Sequence, residues 1–489
     1  MMATPLPLFL AGRWQQGRGG VSDSLFPADG SLNATVSTAS AEDVHEAIAL
    51  AEQAWRDWRG SLPHERAAIL HRVADLIDAR VDSLSKLQTR DNGKPLAETR
   101  GLVLSAAATA RYVAAACETL SDELTPQRAH DFMTMSVHEP VGIVGCITPW
   151  NSPIASEMQK LAPALAGGNA VLLKPADATP LLALELAKLF EEAGLPKGLL
   201  SVLPGRGSVV GEAIIQHPLV RKLSFTGGTS TGRHLAHVAA EKLITTSLEL
   251  GGKSPVVVLP DADLDLAAQG IVYGIFSSSG QACIAGSRLF IHTSIYETLL
   301  AKIIALTTKL RVGHPEAADT QMGPLISEAH LKTVDDYVQL AKSEGGHIAC
   351  GGKRLLEGDL AQGSYYAPTI ITGLANSARV CQEEIFGPVL VVLPYTDEAE
   401  LLAQANDNVF GLAAGIWTEN YRDAWRLARC LEAGTIWINT YKKFSISTPF
   451  GGFKESGIGR EKGRAGILSY MQQKSIYLGL SSVPNPWCD

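Results

Sequence analysis

The sequence predicts an α/β protein built of two doubly wound domains and a small β arm. Three observations carry that expectation. Short apolar runs alternate with helical patterns between residues 141 and 250, as strands buried on both faces of a parallel sheet do. The same alternation starts again after Gly252. A chain of 489 residues also exceeds what one ordinary hydrophobic core can hold, so two or three domains are expected.

The first element is a helix after Ser40. Ser40-Ala41-Glu42-Asp43 is a capping pattern, and Val44, Ile48, Ala51 and Trp55 recur at helical spacing. Residues 67–87 continue in helical style and residues 100–120 form an alanine-rich helix, so the N-terminal part is expected to be mostly helix. Strands follow at 141–147 and 170–173, a helix at 180–193, and strands at 200–203, 222–225 and 245–248. The second alternation runs strand 255–259, helix from 264, strand 288–291, helix 294–310, then strands at 389–393, 413–417 and 434–438. Residues 131–139 and 474–480 alternate apolar and polar side chains and fit neither sheet. They read as ordinary edge strands or as an arm that joins subunits, because exposed edges pair with other chains. The expected division is 1–130 with 147–252, then 253–465, and an arm of 131–146 with 466–489.

Composition narrows the function classes. Hydrophobic residues make up 46% and charged residues 19%, which suits large buried cores. A formal charge of −8 and no lysine/arginine run argue against nucleic acid as a partner. The seven cysteines, at 117, 146, 283, 350, 381, 430 and 488, include no pair at metal-ligand spacing. No metal site is expected, and scattered free thiols suit a reducing compartment. Residues 1–10 lack a basic n-region and carry Pro5 and Pro7, so they do not read as a signal peptide. Residues 266–287 contain no Asp, Glu, Lys or Arg, but Gln269, Ser277, Ser278, Ser279 and Gln281 make them a poor membrane span. The expectation is a cytoplasmic protein with no membrane partner.

Chemistry concentrates between Glu249-Leu250-Gly251-Gly252-Lys253 and Gly280-Gln281-Ala282-Cys283, an acid and a thiol 283 − 249 = 34 residues apart. A thiolate is a good carbon-centred nucleophile, and glycines let a substrate approach the backbone. A carboxylate within reach can activate the water that later releases a covalently held product. Taken alone, a cysteine is more often inert packing and a strand-ending glutamate a solvated charge. Acid, thiol and spacing together, with Gly280 to Arg288 reading Gly-Gln-Ala-Cys-Ile-Ala-Gly-Ser-Arg, resemble the aldehyde dehydrogenase superfamily. The resemblance runs from about residue 10 to residue 480. It implies that Cys283 is the nucleophile and Glu249 the general base.

Other motifs extend the resemblance. In Pro149-Trp150-Asn151-Ser152-Pro153, the Asn151 amide and the Cys283 backbone N–H would receive an oxyanion; alone, Asn151 would read as a helix cap in a proline-bounded turn. Lys160 matches a position with a supporting role, with a surface lysine as the alternative. No Gly-x-Gly-x-x-Gly follows the early strands. Instead Phe225-Thr226-Gly227-Gly228-Thr229-Ser230-Thr231-Gly232 ends a strand and opens a helix, where backbone N–H groups can take a pyrophosphate. Lys174-Pro175-Ala176-Asp177 follows a buried strand, and Lys174 and Asp177 would bond the adenosine ribose. Many relatives carry glutamate at Asp177, yet either acid disfavours a 2′-phosphate, so NAD is expected before NADP. The resemblance adds Thr148, Pro149, Trp150, Ala176, Gly211, Phe225, Gly227, Gly228 and Gly232 to the cofactor site. Within Glu383-Glu384-Ile385-Phe386-Gly387-Pro388, it places Glu384 on the nicotinamide ribose and Phe386 beside the ring. The run from Pro449 to Glu461 matches a C-terminal motif whose expected work is structural.

The function implied is oxidation of an aldehyde to a carboxylic acid with NAD, through a thiohemiacetal and a thioester on Cys283 that Glu249-activated water hydrolyses. Transfer of the acyl group to coenzyme A and a non-catalytic structural role are the rivals. A homodimer or homotetramer is implied. Ser152, Ala155, Ser156 and Gln159 suggest a roomy, polar substrate pocket. Tyr441-Lys442-Lys443-Phe444 would border its entrance, with Phe444 packing on the substrate. Lys442 or Lys443 would either attract an anionic aldehyde, such as a semialdehyde, or sit in solvent.

Overall fold

A computed structural model describes residues 4–482 and Trp487; Cys488 and the other C-terminal residues of the expected arm, 483–486 and 489, lie outside the described residues. The apolar runs become parallel strands as expected. Leu200–Val202, Ala170–Lys174, Ile143–Ile147, Val220–Thr226 and Thr245–Glu249 lie side by side in that spatial order, all parallel. The order in the chain reverses between Ile143–Ile147 and Val220–Thr226, which opens a crevice at the C-terminal strand ends. Helices Ala41–Trp58, Pro153–Ala166 and Thr229–Lys242 pack onto this sheet. Ser40 caps the first of them, and Asp43 completes a reciprocal capping box.

A second sheet of seven strands runs His347–Cys350, Thr369–Thr372, Val389–Tyr395, Arg288–His292, Pro255–Val258, Ala413–Trp417 and Thr435–Ile438 in space. All its neighbours are parallel except the first pair. The first sheet's last parallel strand ends at Glu249 and the second sheet's first strand begins at Pro255. Residues 250–254 therefore join the C-terminal edge of one sheet to the N-terminal edge of the other.

Phe132–Pro140 and Met471–Gly479 pair antiparallel from Phe132↔Gly479 to Pro140↔Met471, with Glu123–Leu124 on the far side. The two segments that fitted neither sheet are thus each other's partners.

Four expectations need correction. The N-terminal part is not mostly helix at its start. Leu8–Leu10, Arg13–Gln15, Gly20–Leu25 and Leu32–Thr38 are strands, and the first two extend the eight-stranded sheet. Strands of three residues are too short to display an alternation. The helical pattern at 67–87 breaks at Arg80 (φ −121°, ψ 19°), giving Pro63–Ala79 and Val81–Asn92. Ile143–Ile147 lies wholly in the first sheet, so a boundary at 146/147 cuts a strand. Finally, Gly457–Ile458, expected with the second domain, pairs with Leu248 and Glu249 at the edge of the first sheet.

Candidate active site

The loop that carries Cys283 is shaped by backbone that few side chains tolerate. After helix Leu264–Phe276, Ser278 and Ser279 take left-handed φ of 58° and 54°, and Gly280 follows at 70°. A Cβ on Gly280 would stand 2.0 Å from the Gly387 carbonyl oxygen, so only glycine fits there. Gln281 is buried; its Oε1 accepts from the Ile326 N–H at 2.9 Å. Beyond the loop, the buried Arg288 guanidinium donates to the Lys253 carbonyl (2.9 Å), Asn376 Oδ1 (3.0 Å) and the Ala405 carbonyl (2.8 Å). Both ends of the loop are therefore fixed. Gly252 approaches from the other sheet so closely that a Cβ there would meet the Cys283 carbonyl oxygen at 2.4 Å.

Glu249 faces this loop with only 4% of its surface exposed, and neither carboxylate oxygen has a hydrogen-bond partner among the described residues. Burial, reinforced by Glu461, pushes its pKa well above the ordinary carboxylate value; Lys160, Arg460 and Lys462 oppose the shift. The Cys283 thiol is pushed up to about 12, first by burial and then by Glu384 and Glu249, with the Ile284 N–H acting against them. Asn151 Nδ2 donates to the Gln281 carbonyl at 3.1 Å, which orients the amide and leaves its second hydrogen free. The Cys283 N–H makes no hydrogen bond to a described residue. Two unspent donors thus accompany the thiol.

The thiol and acid open into a cleft of about 940 Å³ at the point where strand order reverses. Thr148, Pro149, Trp150 and Asn151, following one central strand, line it with Lys174, Ala176 and Asp177, which follow the next. Gly211, Phe225, Gly227 and Gly228 form another wall, and Glu384 and Phe386 come from the second sheet's side. Lys174 Nζ pairs with Asp177 Oδ1 at 2.5 Å. Glu384 accepts the Gly252 N–H at 2.9 Å, and burial raises its pKa to about 7. Trp150 meets Phe386 edge-on at 5.3 Å. His330, absent from the sequence reading, also lines the cleft and bonds the Phe386 carbonyl through Nε2 at 2.8 Å. Burial lowers its pKa, which leaves it neutral with the proton on Nε2.

The cleft suits a dinucleotide. Open space lies where a Cβ on Gly211 or Gly228 would project, so their backbone is accessible to phosphate oxygens. The Thr148 and Thr229 hydroxyls are buried without partners among the described residues. Gly232 is not in the lining. A Cβ there would meet the Leu250 side chain at 2.5 Å, so its small size serves packing of helix Thr229–Lys242.

Lys160 is no surface lysine. It is fully buried, and its Nζ donates to Glu461 Oε1 at 2.5 Å and to Ser224 Oγ at 3.1 Å. Glu461 sits in the C-terminal motif read as purely structural, and through this pair it acts on Glu249. Its signal was present in the motif but its partner lies 301 residues away.

The family model for the aldehyde dehydrogenase family matches residues 14–476. The chain belongs to the aldehyde dehydrogenase family. A betaine aldehyde dehydrogenase from Staphylococcus aureus, solved in complex with NAD+, is 36% identical with a TM-score of 0.97, over 99% of this chain and 96% of that one. An aldehyde dehydrogenase from Bacillus cereus, solved as a point mutant, is 37% identical with a TM-score of 0.95, over 98% and 97% of the two chains. A Burkholderia cenocepacia chain provisionally named an aldehyde dehydrogenase is 38% identical with a TM-score of 0.96, over 99% of each.

In this aldehyde dehydrogenase Lys442, Phe444 and Lys462 lie outside the lining of the cleft. Lys443 is exposed, whereas Lys442 turns inward, donating to Ser277 Oγ at 2.7 Å above the Tyr273 ring. Phe444 is 49% exposed and meets Trp437 and Phe450 edge-on. Lys462, unnoticed in the sequence, lies over Phe444 and Phe450. Among the described residues no helix is long and apolar enough to cross a membrane.

Proposed function

We propose that the protein oxidises an aldehyde to its carboxylic acid with NAD+ as acceptor. The observation that carries this is the meeting of an unpartnered Glu249, the Cys283 thiol and two unspent donors at one end of a dinucleotide-sized cleft. Cys283 Sγ attacks the carbonyl carbon, the thiol proton leaves through the cleft, and the oxyanion is received by Asn151 Nδ2 and the Cys283 N–H. Bound NAD+ supplies the hydride acceptor. Loss of hydride from the sulfur-bound carbon leaves a thioester on Cys283. Glu249 removes a proton from water, the hydroxide adds to the thioester, and the acid departs as the thiol is restored. A base with raised proton affinity suits that task at neutral pH. Overall, aldehyde, NAD+ and water become acid, NADH and a proton.

Glu384, Thr148 and the Gly227–Gly228 backbone would hold the cofactor, with Phe386 and Trp150 shaping the nicotinamide end. Asp177 at the ribose end, supported by Glu212 elsewhere in the lining, favours NAD+ over NADP+ by charge. The buried base at Glu249 argues for water rather than coenzyme A as acyl acceptor. Free, scattered thiols support a cytoplasmic setting. The exposed edge strand Met471–Gly479, with Tyr477 and Leu478 bare, supports a subunit-joining arm in a homodimer or homotetramer.

NADH formation tests the scheme. Cys283→Ala should form none, and ordinary turnover by that variant would sink the covalent route. Coenzyme A added to the wild-type assay should leave the free acid as product; acyl-coenzyme A would replace hydrolysis with transfer.

A further inference from the structure

Two lysines on the far side of Cys283 adopt backbone that non-glycine residues rarely occupy. Lys462 stands at φ 61°, ψ 171° and Lys442 at φ 56°. Strained residues of this kind persist where the surroundings force them, commonly at functional sites. Lys462 Nζ lies 4.0 Å from the Phe444 ring centroid and 5.3 Å from that of Phe450. It makes no hydrogen bond or ion pair with any described residue. The adjacent Glu461 carboxylate is already engaged by Lys160 and Ser224. Phe450 and Cys283 pack against one core with Trp437 and Tyr441; burial lowers the Lys462 pKa, while Glu461, Cys283 and Glu249 act to raise it. Lys442 bears on Cys283 as well. Lys462 also lines a small recess of about 10 Å³ with Gln159, Tyr112 and Ile446.

The Lys462 ammonium, set against two aromatic faces, feels Glu461 and Glu249 but pairs directly with no carboxylate among the described residues, so a directly bound counter-anion is wanting. The cofactor cannot supply it, since the cleft lining does not include Lys462. We infer that Lys462, with Lys442 as a second positive charge, binds a carboxylate carried on the aldehyde, so that the substrates are aldehydes with an anionic tail. The inference rests on the aldehyde-oxidising reading above. Of the two lysines weighed from the sequence, Lys443 drops out and Lys462 enters.

The test compares 4-oxobutanoate with butanal, two aldehydes of one chain length, at saturating NAD+. The wild type should favour the anion in kcat/KM by at least about tenfold, less so at high ionic strength. Lys462→Met should lower that preference about tenfold, through KM, and Lys462→Arg should keep most of it. NAD+ titration of each variant reports that the protein is folded. Equal wild-type kcat/KM for the two compounds overturns the inference while leaving aldehyde oxidation intact. So does a Lys462→Met preference equal to wild type, or a loss expressed only as a shift in the pH profile of Cys283 alkylation. Failure of the wild type to oxidise either compound overturns the underlying reading itself.

Discussion

The two sides of Cys283 are built differently. The cofactor side stands on the ends of regular elements. Thr148 and Lys174 sit at the C-terminal ends of neighbouring parallel strands, and Gly227 and Gly228 stand between a strand and a helix. The far side stands on irregular loops in which Lys442 and Lys462 take left-handed backbone. A sheet edge offers accessible N–H groups in a fixed array, which suits one unvarying ligand. Loops aim individual side chains, which suits discrimination among substrates. The chemistry common to the reaction and the recognition of a particular aldehyde therefore reside in separable parts of the molecule.

That separation can be broken most strongly at the base between the two sides. Glu249→Gln should cut steady-state turnover by about 10²–10⁴-fold while keeping an initial NADH burst close to one per active site; loss of the burst as well would mean that Glu249 acts before the thioester. Next in size, Glu461→Gln leaves Lys160 buried without its counter-charge. Denaturant unfolding should show a loss of about 3–5 kcal/mol, whereas a change under about 1 kcal/mol would mean that the pair is solvated. Removing Glu461 also removes one cause of the raised Glu249 pKa, so the alkaline-going rise of deacylation should move to lower pH.

Changes confined to one side sharpen the comparison. Asp177→Asn should improve NADP+ relative to NAD+ by about tenfold, with the ratio of anionic to neutral aldehyde unmoved; a shift in both would join the two sides. The smallest effect concerns pH. Burial lowers Lys442 to about 8, with Lys94 lowering it and Glu98 and Cys283 raising it. The lysine is charged below that value and neutral above it, so preference for an anionic aldehyde should weaken by a few-fold as pH rises through about 8. A flat preference on going from neutral to mildly alkaline pH would remove Lys442 from recognition and leave Lys462 alone.

The same division governs what could be read from the sequence. Ala170–Lys174 and Pro255–Val258 are unbroken apolar runs, and a run of that length has few options besides a buried parallel strand. Glu249, Asn151, Cys283 and Glu384 sit in glycine- or proline-marked motifs, and it is the family resemblance carried by those motifs, not the local setting alone, that makes them visible. Leu8–Leu10 and Arg13–Gln15 escape the sequence reading because three residues show no period; they pair with each other, and only Phe9 reaches the remote Val202. Glu461 and Lys462 were missed for a related reason. Their meaning comes from Lys160, Phe444 and Phe450, which no local pattern connects to them. Lys160 carries a supporting role by resemblance, and its burial beside Glu461 supplies the partner that the sequence does not show.

The late return of the chain to its first sheet has a consequence for synthesis on the ribosome. Strand Thr245–Glu249 gains its outer neighbour, and Lys160 its counter-charge, only when residues 457–461 emerge. Until then a nascent chain of well over four hundred residues carries an uncovered strand beside an uncompensated internal cation. Premature termination before Gly457 should thus yield a sticky, chaperone-dependent product rather than a smaller working enzyme, because residues 457–461 complete what the strand and lysine far earlier in the chain began.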